Sequence, residues 1–321
     1  MSVLPATIAE IFHAPANEEE RFLPEGPRWM KIAGREAIMW VNIQTAVTAT
    51  TGTLHAQFLD NGETRSWPQE KRPGFVLPTT LDHFVLVGRE KELGLFDLVN
   101  EHWTWLVTIP DTHPHTIIND GEVSPDEHYI IFGTKDVKFA DALGHLYLFD
   151  LRKQQLLTLA SHQTCSNGKI IQEHAGRTLL YDIDSPKRSI QAYEWNATTG
   201  KLEKHQAPVS LEHIEGFPDG MCDAGNETAI VAFYNPSLVS AGKAVRLSLQ
   251  TGEILEEWHT PGSPRVTCPL LVSRPDGADL ILTTASEGMS PEQRQHCPNA
   301  GALFIARTKI TGVNKTPEVR I

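Results

Sequence analysis

Long apolar runs are missing from these 321 residues: nowhere do eighteen apolar side chains follow one another, so the sequence carries no transmembrane-helix signal. The opening stretch MSVLPATIAEIFHAPANEEERF lacks a cationic segment followed by an apolar core and a small-residue cleavage site, which predicts a cytoplasmic protein without a membrane partner. Positive charge is also short. With 28 Lys and Arg against 40 Asp and Glu, the net charge of -12 gives a field that repels phosphate backbones and argues against nucleic-acid partners. Cysteine is scarce: Cys165, Cys222, Cys268 and Cys297 are spaced for neither a zinc module nor a disulfide framework, and free thiols in a reducing compartment are expected. No long segment has helical periodicity. There is no G-x-S-x-G elbow, no H-E-x-x-H helix and no G-x-x-x-x-G-K-[ST] phosphate loop. What remains, 40% hydrophobic and 21% charged, is the composition of a chain that buries a full core.

The sequence does contain repetition. Short apolar runs centred on Trp40, Leu86, Ile131, Leu180, Val231 and Leu282 recur about every 50 residues. Each is followed by a second strand-like run, from TLHAQFLD at Thr53 to GALFIART at Gly301. In DNGETRSW, ATTGKLEK and QTGEILEE a glycine then stands where a tight reversal needs positive φ. Six such units, none able to bury its own core, predict an all-β six-bladed β-propeller spanning residues 1–321 as one domain. The last unit lacks an outer strand after KITGVNK, so the N-terminal TIAEIFHA from Thr7 is expected to close it by pairing near Gly301–Lys309.

The segments just before the apolar runs should border the central channel. They are LPEGPRW with Glu25, RPGFVLP with Gly74, IINDGEV with Asn119 and Asp120, TCSNGKI with Asn167, GFPDGMC with Asp219 and RVTCPLL with Cys268. Four of them set an acid or amide immediately before glycine. That pattern has two readings: ordinary turns, for which Asn-Gly and Asp-Gly are strong signals, or a convergent set of oxygens suited to a divalent cation. Recurrence at equivalent repeat positions favours the shared site. Phase does not choose between Asn119 and Asp120, whose side chains face opposite ways in a strand. Cys268 reads as a small buried hydrophobe.

These motifs resemble the SMP-30/gluconolactonase/LRE-like family of six-bladed propellers. LPEGPRW, INDGEVSPDEHYIIFGT, SNGKI with LLYDIDS, FPDGMCD with IVAFYN, VTCPLL with LILTTASEGMSPEQ, and PNAGALF occur in that family's order. The resemblance implies a metal held by Glu25, Asn167 and Asp219, with Asn119 binding substrate or a metal-bound water and Asp219 doubling as general base. The ion would be calcium, zinc, manganese or iron(II). One departure stands out: members acting on some sugar lactones have Arg two residues before the Asn-Asp pair, where this chain has Ile117.

Lactone hydrolysis needs a polarised carbonyl, a deprotonated water and a stabilised oxyanion, which a divalent ion and a carboxylate base supply together. The leading expectation is therefore metal-dependent hydrolysis of a sugar lactone, a small-molecule substrate, to its aldonic acid. Ile117 keeps open a same-fold esterase acting on non-sugar lactones or organophosphates. A non-catalytic calcium-binding or scaffold propeller is the third reading, since fold alone does not give function. His113 and His115 in DTHPHT have a tempting spacing, but Pro114 makes the segment a loop, and His115 is expected at most to fill space left by the absent Arg.

Overall fold

Runs such as Tyr129–Asp136 and Gly277–Thr284 are buried along their whole length, as strands covered on both faces must be. The computed structural model, which describes residues 6–174, 176–196, 199–313 and 317–321, shows what covers them. Six antiparallel sheets form the blades of a propeller, each begun by an innermost strand: Pro24–Ile32, Pro73–Pro78, Thr116–Val123, Ser166–His174, Phe217–Asp223 and Val266–Arg274. Each innermost strand lies beside those of the two neighbouring blades, and the sixth lies beside the first, which closes the ring. Among the described residues no helix is long and apolar enough to cross a membrane.

The core is divided among the blade interfaces. Met39, Val76 and Val87 belong to the cluster between blades one and two, and five further clusters fill the remaining junctions. The sixth, with Trp40 and Ile38 against Leu270 and Ile281, joins the last blade to the first. A single blade therefore has both faces committed to neighbours. Truncating a side chain such as Trp40 to Ala would cost about 3–5 kcal/mol at its junction. The predicted hairpin glycines Gly62, Gly200 and Gly252 all take positive φ.

Closure differs in one respect from the sequence expectation. Glu10–His13 pairs antiparallel with Leu303–Thr308 and completes blade six, as expected. Thr7–Ile8 instead runs parallel to Ile254–Pro261 at the outer edge of blade five. Ala9 makes the crossing, buried, with its N–H donated to the His259 carbonyl at 2.9 Å. A second tie comes from the C-terminal residues: Val319, fully buried, donates its N–H to Pro78 O at 2.8 Å, and Arg320 pairs with Glu127.

Candidate active site and metal centre

Every innermost strand carries a register shift, and the six shifts fall at the same level of the ring: Glu25/Arg28, Pro73/Phe75, Ile118/Asp120, Asn167/Lys169, Pro218/Met221 and Val266/Pro269. A bulge turns a strand and re-aims its side chains. The acid-Gly and amide-Gly pairs are thus not hairpin turns. Their glycines permit close approach between blades: a Cβ on Gly168 would lie 2.7 Å from Met221 N, and one on Gly220 would lie 2.5 Å from Cys268 Sγ.

Glu25, Asn119, Asn167 and Asp219, from blades one, three, four and five, line one cavity of about 610 Å³. Asp120 does not line it; its carboxylate accepts from Gly121 N at 2.7 Å. In blade three the bulge falls on Asn119 itself, two residues before the glycine, whereas in blade four it falls on Gly168, and this selects the amide. Ile117 is buried and does not line the cavity, and neither does His115. Cys268 is buried beneath it, packed against Gly220, and all four cysteines are free thiols.

The two amides are fixed by their neighbours. Asn119 Nδ2 donates to Ser166 O at 3.0 Å and to Asn167 Oδ1 at 2.8 Å, which uses both its hydrogens and leaves Oδ1 to accept. Asn167 Nδ2 donates to Ser185 Oγ at 2.8 Å, holding its Oδ1 on the opposite side, with a lone pair to spare. Ser185 opens a short 3-10 turn after the second strand of blade four and also lines the cavity. The Cys165 thiol beside these amides is pushed up by burial and stays protonated, so it is no nucleophile.

Among the described residues no three His, Cys, Asp or Glu side chains cluster as a metal site. A cation here would rest on two carboxylates supplemented by amide oxygen, a hard-donor set of the kind calcium and other divalent ions accept. The electrostatics fit such an ion. Burial, and then the charge of Asp120, pushes Glu25 up to about 8 against the pull of the Gly26 N–H and Lys135. Asp219 is raised well above the usual carboxylate range by burial and by Glu25. Its oxygens have no hydrogen-bond or ion-pair partner among the described residues. Two buried carboxylates that repel each other are stabilised as anions by a shared cation.

Sequence reasoning missed three features of this cavity. One is Ser185, quoted within LLYDIDS but not singled out. Another is the apolar wall of Phe22, Ile43, Val137, Phe139 and Phe217. The third is Lys135, whose signal was a charged residue ending the run YIIFGTK at the Asn119 end of blade three. At the other end of the channel the later residues of the innermost strands line a second cavity of about 720 Å³, including the buried Arg28–Glu122 ion pair at 3.1 Å.

Comparison with known proteins agrees with this architecture. Residues 23–286 match the model of the SMP-30/gluconolactonase/LRE-like region. The chain is 25% identical to regucalcin of Danio rerio over 297 residues, 92% of each chain, and 29% identical to regucalcin of Homo sapiens over 214 residues, 65% of this chain and 66% of that one. In fold it is similar to the calcium-binding regucalcin of Agrobacterium tumefaciens, with a TM-score of 0.79 at 20% identity, covering 99% of this chain and 100% of that one. A luciferin-regenerating enzyme gives a TM-score of 0.80 at 18% identity, covering 98% and 100%.

Proposed function

The chain belongs to the SMP-30/gluconolactonase/LRE-like family, and on that premise we propose that it is a divalent-metal-dependent lactonase, opening a cyclic ester to its hydroxy acid. The observation that carries the reading is the convergence of Glu25, Asn119, Asn167 and Asp219 from four blades on one cavity, which a pure scaffold has no need of. Glu25, Asn167 and Asp219 would hold the ion. When bound, a divalent ion supplies polarisation of the ester carbonyl and stabilisation of the developing oxyanion. Asp219, whose oxygens have no hydrogen-bond partner among the described residues, accepts the proton of the attacking water. Asn119 Oδ1, its N–H groups already engaged, accepts a hydrogen bond from a substrate hydroxyl or from the water.

The polar floor suits the sugar lactone expected from sequence, whereas the apolar wall around Phe139 and Phe217 favours the second reading, a lactone or ester with fewer hydroxyls. The test is a lactone panel, sugar and non-sugar, assayed after chelation and refilling with calcium, zinc, manganese or iron(II). Chelation should abolish hydrolysis and one metal should restore it. Hydrolysis that persists at full rate in metal-free protein would overturn the reading.

A further inference from the structure

Lys135 lies on the second strand of blade three, directly across from Ile117, and it lines the same cavity as Asn119. It is only 6% exposed, yet among the described residues its ammonium has neither a hydrogen-bond acceptor nor an ion-pair partner. Its Nζ lies over the Phe139 ring, 5.5 Å from the centroid. Because Lys135 lines the cavity, its charge is available to whatever enters. Glu25 and Asp219 feel its charge, and Glu287 lines the same cavity, but none of the three forms an ion pair with it, and under the reading above the first two are committed to the cation. Arg72, the other cation lining the cavity, is engaged by Glu90 at 2.5 Å. An ammonium cannot ligate a metal ion, so the group that satisfies Lys135 must arrive with the substrate. Val137, Phe139 and Phe217 form an apolar wall to the same cavity.

We propose that Lys135 is a specificity-determining residue that holds an anionic substituent, so that the preferred substrate is a lactone carrying a carboxylate. This rests on the lactonase reading. The substrate carboxylate supplies the direct polar contact that no described side chain of the protein makes with this ammonium, and it explains a lysine beside a strand position, Ile117, that offers no polar group.

The experiment compares the metal-loaded parent with Lys135→Met and Lys135→Arg on a γ-butyrolactone bearing a ring carboxylate and on its neutral carboxamide. The parent should favour the carboxylate by about tenfold or more in kcat/KM. Lys135→Met should lose that preference mainly through KM, with the loss on the carboxylate clearly exceeding any loss on the carboxamide, and Lys135→Arg should retain much of it. Calorimetric binding of the ring-opened dicarboxylate, with metal content measured alongside, gives a readout independent of turnover. If the parent hydrolyses neither lactone but binds the dicarboxylate in a Lys135-dependent way, the lactonase reading fails and only the anion-holding role of Lys135 stands. Equal use of both lactones by the parent, or equal dicarboxylate binding by parent and Lys135→Met, overturns it. So does a Lys135→Met variant that loses metal and both activities together, because Lys135 is then a structural counter-ion to the floor.

Discussion

Asp219 is assigned two tasks, holding the ion and taking a proton, which substitution separates. Asp219→Asn keeps an oxygen donor of the same size and removes the base, so turnover at saturating metal should fall about a hundredfold to ten-thousandfold while much of the bound metal remains. Metal analysis beside lactone hydrolysis decides it; a nearly fully active variant would end the role given to Asp219. A second residue governs stability rather than chemistry. His55 is buried on the third strand of blade one, stacked on Trp40 with Nδ1 at 2.8 Å from Ser66 Oγ. Burial, and then the nearby His13, lowers it from 6.5 to about 4. A histidine lowered on folding leaves stability intact above pH 6.5 and withdraws it as pH falls toward 4, by up to about 3 kcal/mol. Urea unfolding at pH 7.5 and 4.5 should therefore show a smaller acid loss for His55→Gln than for the parent. Equal losses would place the acid sensitivity elsewhere.

At the scale of strands, the sequence disclosed what repeats and hid what occurs once. Glu25, Asn167 and Asp219 were legible because each precedes a glycine at an equivalent point in its repeat, and the structure gives the reasons: Gly168 and Gly220 leave no room for a Cβ where neighbouring blades touch, and Gly26 takes a positive φ of 53°. Lys135 was not legible by that route, since it belongs to a second strand, and only the depth of the cavity brings a second strand to the site. The N-terminal closure was half legible. A missing outer strand in the last unit announced Glu10–His13, but the parallel pairing of Thr7–Ile8 depends on where blade five's edge lies in space, which no local pattern records. That element carries its own prediction. Removing the residues through His13 strips Ala9 and Phe12 from inter-blade packing and leaves Leu303–Thr308 as an unpaired edge. The melting temperature should drop by roughly 5 °C or more, with larger species appearing on size exclusion. A truncated chain that stays monodisperse and melts with the parent would show the closure to be ornamental.

Across the whole molecule, backbone regularity and chemical irregularity coexist. Six register shifts repeat around the axis, yet polar groups occupy only four of the six positions. The blade-two position is shut, because a Cβ on Gly74 would lie 2.4 Å from Ile118 O. The blade-six position holds Cys268, packed against Gly220. Blades three, four and five thus form a continuous polar arc facing Glu25, with a bare sector on either side of it. Asn119, Lys135 and Phe139 all lie at the blade-three end of that arc, next to one bare sector and not the other. A ring of six identical positions would offer a ligand no preferred orientation about its axis, but this arrangement does. A lactone presenting its carbonyl to the floor, its anionic arm to Lys135 and its ring face to Phe139 meets three different groups, and its mirror image satisfies only two of them at once. Hydrolysis of a racemic carboxylated lactone should accordingly stall near half conversion with one enantiomer left over, and chiral chromatography of the residue reads it directly.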